Sequence, residues 1–238
     1  MTIFVATSDV HAPRYLGLMS LSLKALEREG VEPCFVILAG DLTDKGRTSL
    51  VGIVFNYVRR TWRDKAVIAV FGNEEYHNIR PLLKIMYQDV IWLDDETSII
   101  ECDGVRVAIV GTSGALDEPT RWQARNMPWI AREYMYRPAR IARLIREARS
   151  SADRVIVVSH YGLSKETLRG EDPKIWKYLY SSSMEKVIAS EKPDIAVHGH
   201  AHKGSPRACV SGVPVYNVAL PLNKALVVID LESKCSPR

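Results

Sequence analysis

The sequence predicts an α/β fold in which two mixed β-sheets pack face to face and helices lie outside them. Short runs of Val, Ile, Ala and Phe recur between amphipathic stretches and do not alternate polar with apolar residues, as strands buried on both faces do. Near the end of the chain, three strand candidates follow one another with no room for helices between them. The first pattern is typical of parallel strands and the second of antiparallel strands, so mixed sheets are expected.

Most of the chain alternates strand and helix patterns in a fixed order. Pro81 and Pro138 each open a predicted helix, because the missing N–H of proline is not needed in a first helical turn. The alternation predicts parallel strands joined by right-handed crossovers. The predicted strands are residues 3–7, 34–39, 66–71, 106–110, 154–158 and 194–197, and the predicted helices are residues 17–28, 47–62, 81–87, 138–148 and 183–190.

The last part of the chain has a different pattern. Strand candidates at residues 208–210, 214–218 and 225–230 are separated by short turns such as Ser211-Gly212, so antiparallel neighbours are expected there. No repeat or Pro/Gly/Ser-rich linker divides the sequence, which predicts one domain over residues 1–238.

Two long segments contain no strand pattern. Residues 114–137 and residues 161–180 both exceed the normal length of a connection between elements. We expect these segments to form lids or rims over a site.

The composition is that of an ordinary soluble protein. Of the 238 residues, 47% are hydrophobic and 25% are charged. Lys and Arg total 32 against 28 for Asp and Glu, and this net charge of +4 is too small to indicate stable nucleic-acid binding. No apolar run approaches the length of a membrane helix, and the start of the chain lacks the basic region of a signal peptide, so no membrane partner is expected.

The cysteines predict a cytoplasmic protein. Cys34, Cys102, Cys209 and Cys235 are widely spread with no CxxC pair, which indicates neither a zinc site nor a disulfide framework. Buried free thiols in a reducing cytoplasm are therefore expected. Glutamine is nearly absent while Arg and Glu are plentiful, a pattern sometimes seen in heat-adapted proteins.

Five predicted strands end in side chains that can bind a metal. Ligands bind beyond the carboxyl ends of strands in open α/β sheets, so these five endings are expected to converge. Histidine is scarce, and three of the six histidines lie in the last ending. The endings read Ser8-Asp9-Val10-His11, Gly40-Asp41-Leu42-Thr43-Asp44, Gly72-Asn73-Glu74-Glu75, Ser159-His160 and His198-Gly199-His200-Ala201-His202.

Each motif alone has a second interpretation. Asp9 and His11 also suit a surface turn, and Asp44 is either a helix N-cap or a support for a metal ligand. His200 and His202 project to the same side of an extended segment, which suits chelation but also a surface patch that titrates. The conjunction of all five endings favours a metal site.

The donor set selects the metal class. It contains four imidazoles, two carboxylates and one amide but no thiolate, which favours Mn²⁺, with Fe, Zn²⁺ or Ni²⁺ as alternatives. Seven donors exceed what one zinc-like ion accepts, whereas two ions about 3.5–4 Å apart that share a carboxylate use them all. The seven candidates are Asp9, His11, Asp41, Asn73, His160, His200 and His202.

In order and spacing, these residues resemble the calcineurin-like metallophosphoesterases, whose pattern is D-x-H, G-D-x-x-D, G-N-H-D/E, an isolated strand-end H, then G-H-x-H. The resemblance spans Asp9 to His202 and implies a four-layer αββα sandwich. It also implies a dinuclear phosphoesterase in which a metal-bridging hydroxide attacks a phosphate ester. Position by position, it implies one metal on Asp9, His11 and His202, the other on Asn73, His160 and His200, and Asp41 bridging both.

One position departs from the family pattern. Glu74 stands where the family usually has a histidine that touches the phosphoryl oxygen or protonates the leaving group. An ionised Glu74 would repel phosphate, so it is either protonated in the site or turned away to pair with a cation. His77 either supplies the missing imidazole or is a solvated surface histidine. Together with Asp41, Asn73 and His200, Glu74 is a candidate catalytic residue.

The substrate is indicated only by class. Arg121, Trp122 and Arg125, with His77, form a candidate substrate rim, because Arg can grip a phosphate and Trp can stack on a flat group. The alternative is a surface helix whose tryptophans pack on a sheet. A phosphodiester is favoured over a monoester because loss of the family histidine favours better leaving groups. A catalytically impaired protein-binding scaffold and a nuclease are the alternative functions, and the oligomeric state is left open.

Overall fold

Two mixed sheets lie at the centre of the computed structural model, which describes residues 2–235. The strands are β1 Ile3–Thr7, β2 Phe35–Ala39, β3 Ala66–Val70, β4 Val90–Leu93, β5 Glu96–Cys102, β6 Val105–Thr112, β7 Arg154–Ser159, β8 Ile195–His198, β9 Arg207–Val210, β10 Val213–Asn217 and β11 Val227–Asp230. The helices are α1 Leu16–Arg28, α2 Thr48–Thr61, α3 Arg80–Met86, α4 Arg121–Asn126, α5 Ile130–Arg149, α6 Ser182–Glu191 and α7 Leu220–Asn223, with 3₁₀ helices at Glu166–Leu168 and Pro173–Tyr178.

The sheet topology confirms the predicted fold class. The five-stranded sheet has the order β11-β1-β2-β3-β4, and the six-stranded sheet has the order β5-β6-β7-β8-β10-β9. In the first sheet, β1 to β4 are parallel and β11 is antiparallel at the edge beside β1. In the second sheet, β6, β7, β8 and β10 are parallel, and β5 and β9 are antiparallel at the two edges. Helices α1, α2 and α3 cover the outer face of the first sheet, and α5 and α6 cover that of the second.

Alternate side chains of each inner strand pack into two different hydrophobic clusters, one between the sheets and one between the sheet and its helices. In β2, Ile37 packs in the cluster between the sheets, while Val36 and Leu38 pack against the helices. Because successive side chains of a strand point to opposite faces, both faces of these strands are buried. This accounts for the continuous apolar runs from which the strands were predicted.

Helix α5 corrects one predicted boundary. Pro138 does not open a helix but lies inside α5, which begins at Ile130. Ile130, Tyr134 and Ile141 are buried on the same helix and pack with the second sheet. Burial of this apolar face on both sides of Pro138 outweighs the lost backbone hydrogen bond, which costs about 3 kcal/mol.

Strands β4 and β5 and helix α7 are among the elements that were missed, because their sequence signals are weak. Strand β4 has only four residues, and β5 is an edge strand that exposes Glu96, Thr97 and Glu101 instead of forming an apolar run. Helix α7 has four residues and occupies a connection that was expected to contain no helix. Short elements of this kind depend on neighbours that the local sequence does not show.

The prediction of antiparallel neighbours near the end of the chain is correct only in part. Strands β9 and β10 do form an antiparallel pair, joined by Ser211 and Gly212 at φ +51° and +92°, as a tight hairpin turn requires. Strand β11, however, leaves this sheet and pairs antiparallel with β1, while β10 pairs parallel with β8. Helix α7 lies between β10 and β11 and carries the chain to the other sheet.

The expectation of free thiols is wrong. Cys34 is bonded to Cys102 with Cα atoms 5.8 Å apart, and Cys209 to Cys235 with Cα atoms 5.7 Å apart. The first bond joins the start of β2 to the end of β5 and so links the two sheets. The partners are 68 and 26 residues apart in sequence, so the pairing is visible only after the sheets are assembled.

Among residues 2–235, no helix combines the length and the apolar character that crossing a membrane requires.

Loss of the disulfides is expected to lower the stability of the fold. Each bond restricts the unfolded chain, and loops of 68 and 26 residues correspond to about 4 and 3 kcal/mol. Replacing Cys209→Ser and Cys235→Ser together should therefore lower Tm in calorimetry by on the order of 10 °C. A variant with all four cysteines changed to serine is the control, because dithiothreitol should not alter its Tm. Four reactive thiols in the unreduced, unfolded protein would contradict the pairing.

Candidate metal centre

Four of the five strand endings contribute to one cluster at an end of the two sheets, and Asn73 of the fifth ending lies beside it, with its Oδ1 3.1 Å from His160 Nε2. Side-chain ligand atoms of Asp9, Asp41, His160 and His200 lie within 4.8 Å of one another, and so do those of Asp9, His11 and His202. These residues follow β1, β2, β7 and β8, which belong to both sheets. The expected convergence of these side chains is therefore present in the fold.

Four of the clustered residues have a left-handed backbone. The φ angles are +56° for Asp9, +43° for His11, +51° for Asp41 and +68° for His200. This conformation is unfavourable for residues that carry a Cβ, and it concentrates at functional sites where the chain must turn sharply. Here it turns the chain at the strand ends while the side chains remain in one cluster.

Glycines allow the loops to approach closely. A Cβ atom at Gly72 would overlap the carboxylate of Asp41, and one at Gly199 would overlap Ser8 Oγ and the carboxylate of Asp9. Only glycine fits where one backbone lies directly against the side chains of the next loop. The glycines of the motifs are therefore required by packing as well as by the turns.

His11 presents a buried nitrogen to two carboxylates. Its Nδ1 lies 2.8 Å from Asp44 Oδ1 and donates to it, so Nε2 carries the lone pair when the ring is neutral. That Nε2 is buried without a hydrogen-bond partner, 3.7 Å from Asp9 Oδ1 and 3.8 Å from Asp41 Oδ2. Burial opposes protonation of His11, but the carboxylates of Asp9 and Asp44 outweigh it and raise the pKa of the ring. With the ring neutral, three electron-pair donors face one another, and a cation between them would take the place of the proton.

Asp44 supports His11 and does not cap a helix. The N-cap of α2 is Arg47, and no side chain caps that helix. Of the two interpretations of Asp44, support of a candidate ligand is the one that the contacts favour. A carboxylate that orients an imidazole in this way is common behind metal-binding histidines.

His160 has the same arrangement on the other side of the cluster. Its Nδ1 donates to the carbonyl of Ala39 at 3.0 Å, while Nε2 lies 3.1 Å from Asn73 Oδ1 and 3.5 Å from Asp41 Oδ2. Burial lowers the pKa of His160 to about 4, so its ring is neutral near pH 7. Its free nitrogen therefore faces two oxygen acceptors, and these donors also suit a cation.

His200 and His202 approach Asp9 from the β8 ending. The backbone N–H of His200 donates to Asp9 Oδ2 at 2.9 Å, and His202 Nε2 lies 2.9 Å from Asp9 Oδ1. His200 Nε2 donates to the carbonyl of Tyr178 at 3.2 Å, which leaves Nδ1 as its free nitrogen. Burial lowers the pKa of His200 to about 3.

The two buried carboxylates have opposite pKa shifts. Burial opposes ionisation of Asp9, but the imidazoles of His11 and His202 outweigh it and hold the pKa of Asp9 well below its usual value. Burial and the negative charges of Glu75 and Asp9 raise the pKa of Asp41 well above its usual value. A divalent cation in the cluster would favour ionisation of both carboxylates.

Glu75 is a positioning residue that the sequence analysis missed. Its fully buried carboxylate accepts backbone N–H groups from Asp41 at 2.8 Å, Leu42 at 2.9 Å, Gly72 at 2.8 Å and Thr43 at 3.4 Å. It therefore ties the loop after β2 to the loop after β3. The signal in the sequence was its place at the D/E position that ends the G-N-H-D/E pattern.

Glu74 is held by the loop after β2. Its Oε2 accepts the backbone N–H of Lys45 at 2.6 Å, and its own N–H donates to Asp41 Oδ1 at 2.8 Å. The expected cationic side-chain partner is thus replaced by a backbone amide. Glu74 and Asn73 also line a neighbouring cavity of about 670 Å³.

His77 and Trp122 line the same cavity, whereas Arg121 and Arg125 are exposed on α4 and do not line it. His77 is half-buried with its ring centroid 4.6 Å from that of Trp129, so it is not a solvated surface histidine. Burial lowers the pKa of His77 to about 4. Of the four candidate rim residues, the fold brings two to the cavity.

Both segments without predicted strands border this cavity. Trp122 and Trp129 come from residues 114–137, and Tyr161 and Tyr178 come from residues 161–180. The first segment contains α4 and the start of α5, and the second contains both 3₁₀ helices. Their action as lids stays a prediction.

The comparisons with known proteins identify the family of this chain. A family model described as calcineurin-like phosphoesterase matches residues 3–204, so the chain belongs to that family and is a metal-dependent phosphoric ester hydrolase. No curated protein matches the sequence.

Solved structures show the same fold. Phosphopantetheinyl hydrolase (PptH) from Mycobacterium tuberculosis is 18% identical with a TM-score of 0.64, over 94% of this chain and 91% of that chain. A 5′-nucleotidase precursor from Thermus thermophilus is 13% identical with a TM-score of 0.58, over 99% of this chain but only 53% of that chain. GAP50, described as the anchor in the inner membrane complex of Plasmodium, is 10% identical with a TM-score of 0.56, over 92% and 72%.

Substitution of Glu75 is expected to disturb the metal centre, although Glu75 is not itself a candidate ligand. In Glu75→Gln an amide NH₂ replaces one oxygen and opposes backbone N–H donors, which should lower the free energy of unfolding in urea by about 1–3 kcal/mol. Mn²⁺ affinity measured by calorimetry should fall by about 10–100-fold. Glu101→Gln removes the same charge from an exposed position of β5 and should change neither quantity. Equal behaviour of the two variants would contradict the role of Glu75.

Proposed function

We propose that the protein hydrolyses phosphate esters, phosphodiesters in preference to monoesters, with two divalent ions held at the strand endings. Asp9, His11 and His202 would hold one ion, Asn73, His160 and His200 the other, and Asp41 would bridge them. Mn²⁺ is the favoured metal, and Fe, Zn²⁺ and Ni²⁺ are alternatives. The observation that carries the proposal is the set of buried donors that face one another, above all the unpartnered Nε2 of His11.

A bridging role for Asp41 is supported by its position between two histidines. Its Oδ2 lies 3.8 Å from His11 Nε2 and 3.5 Å from His160 Nε2, and these imidazoles belong to the two different proposed sites. Asp41 is also fixed by Glu75 and Glu74, because its own N–H donates to Glu75 and its Oδ1 accepts the N–H of Glu74. A carboxylate held in this way can face two cations without rotating.

Bound divalent ions supply Lewis acidity, since they acidify water and neutralise the charge that develops on the phosphoryl oxygens. The proposed ligand residues would hold the two ions at fixed positions. The attacking water gives up one proton as its oxygen forms a bond to phosphorus and the bond from phosphorus to the leaving oxygen breaks. The leaving oxygen departs with the electron pair and takes up one proton from solvent, so the protons balance.

The preference for diesters is supported by the lack of a cationic imidazole at the position where the family usually has its histidine. Glu74 occupies the usual histidine position and is bound to the Lys45 amide, and His77 has a pKa of about 4 and is neutral near pH 7. The leaving oxygen therefore receives little help from a cationic acid. Esters with good leaving groups are favoured under these conditions.

Metal loading and hydrolysis test this proposal together. Elemental analysis of protein purified with Mn²⁺ should find two ions per chain, and bis-p-nitrophenyl phosphate should be hydrolysed faster than p-nitrophenyl phosphate. His200→Ala should reduce kcat/KM by at least about 100-fold, because it removes a proposed ligand, and Arg143→Ala on exposed α5 surface is the control. EDTA should abolish turnover and Mn²⁺ should restore it.

Three results would contradict the proposal. They are one ion per chain, turnover that His200→Ala retains, and no turnover with any of the four metals. The last result would favour the scaffold alternative, which Glu74 alone supports and the retained donor set opposes.

We also propose that the protein acts in the cytoplasm of a heat-adapted cell. The two disulfides remove the argument from free thiols, but intracellular proteins of hyperthermophiles do keep disulfides. The scarcity of glutamine beside abundant Arg and Glu supports heat adaptation. We expect a Tm above about 80 °C without reductant, whereas a Tm in the mesophilic range of about 45–65 °C would favour an oxidising compartment instead.

A further inference from the structure

We infer that the cavity beside the metal centre binds an uncharged, flat ring of the phosphate ester, with Trp122 and Trp129 as its stacking surfaces. This inference rests on the proposed function, because it assigns the non-phosphate part of the same substrate. The cavity of about 670 Å³ shares Asn73, Glu74 and His200 with the centre, so a group in it lies next to a phosphate at the metals. A volume of this size suits a ring-sized organic group.

The two tryptophans are exposed, unlike the tryptophans of the core. Trp122 and Trp129 are 53% and 44% exposed, whereas Trp62 and Trp92 are 3% and 7% exposed. With their indoles exposed at the cavity, Trp122 and Trp129 lack the stabilisation that burial gives to Trp62 and Trp92. Large exposed aromatic residues around a concave site are typical of ligand binding.

Both indoles are fixed in place by the loop after β3. The ring of Trp122 stacks on Tyr76 with centroids 5.8 Å apart and planes at 28°. The ring of Trp129 meets His77 edge-on with centroids 4.6 Å apart and planes at 85°. Because this loop also carries Asn73, the two indole rings have a fixed position relative to the metal centre.

Gln123 anchors the helix that presents Trp122. Its backbone N–H donates to Thr120 Oγ1 and its Oε1 accepts the Thr120 N–H, which forms a capping box at the start of α4. Its Nε2 donates to the hydroxyls of Tyr134 and Tyr161, both at 2.9 Å. Helix α4 is therefore tied to the wall of the cavity, and little ordering is required when a ring binds.

The charges of the wall indicate an uncharged ligand group. The guanidinium groups that line the cavity within the described residues belong to Arg80 and Arg137. Arg80 pairs with Asp94 at 3.2 Å, and Arg137 pairs with Asp95 at 3.0 Å. Their side chains are only 8% and 5% exposed, so neither is free to bind an anion.

The other charged residues of the wall are acidic. Glu74 and Glu75 both line the cavity, and no lysine of the described chain does. A second phosphate or a carboxylate in the cavity would meet these acids without an available cation, at an electrostatic cost. The geometry therefore favours a neutral ring over a polyphosphate or a second charged group.

Two pairs of probes test the inference. Binding of phenylphosphonate and methylphosphonate to the Mn²⁺-loaded protein is measured by calorimetry, which requires no turnover. Hydrolysis of p-nitrophenyl phenyl phosphate and p-nitrophenyl methyl phosphate is measured by kcat/KM, since both release the same p-nitrophenolate. We expect the phenyl member of each pair to be preferred by about tenfold or more.

Variants of the cavity should change this preference selectively. Trp122→Ala and Trp129→Ala should each lower the phenyl-to-methyl ratio by about tenfold, and Trp122→Phe should keep most of it because a ring remains. Tyr136→Ala is the matched control, because Tyr136 is an aromatic residue of α5, 52% exposed, that does not line the cavity. It should leave the ratio unchanged. 4-Carboxyphenylphosphonate should bind more weakly than phenylphosphonate.

The outcomes separate this inference from the proposed function. A phenyl preference in binding that the Trp→Ala variants lose supports the inference even if neither ester is hydrolysed, in which case only the proposed function fails. Equal binding of phenyl and methyl phosphonates would overturn it, as would a ratio that both Trp→Ala variants retain. Tighter binding of the carboxylated ring would overturn the assignment of an uncharged group.

Discussion

The candidate metal centre depends on one constraint, which is that the loops after neighbouring strands must lie in direct contact. Glu75 meets this constraint by accepting backbone N–H groups from the loops after β2 and β3 with a single buried carboxylate. Gly72 meets it by having no Cβ where Asp41 approaches. The left-handed backbone of Asp41 then turns the chain out of β2 at the point of contact. Without this contact the candidate ligands would belong to separate loops.

The same crowding sets the electrostatics of the site. His11 and His160 donate from Nδ1 to Asp44 and to the Ala39 carbonyl, which turns Nε2 of each ring toward the cluster. Burial lowers the pKa of His160, whereas the carboxylates of Asp9 and Asp44 outweigh burial and raise the pKa of His11. Asp9 ionises readily beside them, while Asp41 resists ionisation because of its burial and the charges of Glu75 and Asp9. The buried carboxylates of Asp9, Asp41 and Glu75 repel one another, and divalent cations would relieve that repulsion. This repulsion is the physical argument for an enzyme rather than a scaffold. GAP50, which has a similar fold, is described as an anchor.

The aromatic cavity and the metal centre are two parts of one structural unit. The loop after β3 carries Asn73 and Glu74 toward the centre, and Tyr76 and His77 toward the tryptophans of α4 and α5. Arg80, at the start of α3, holds this loop through the carbonyls of Glu75 and Gly72. A change in this short stretch would therefore alter both the metal geometry and the proposed selection of the ester.

By itself, the sequence determined the two buried-sheet layers and the convergence of the strand endings, because apolar runs and the residues after them are local signals. It did not determine the Cys34–Cys102 bond, the departure of β11 to the other sheet or the position of Pro138 inside α5, since each depends on contacts between distant segments. Packing also decided that Trp122 and His77 line the cavity while Arg121 and Arg125 do not. Residue types and spacing thus fix which chemistry is available, and tertiary packing fixes which side chains share a space, because burial is a property of the assembled chain.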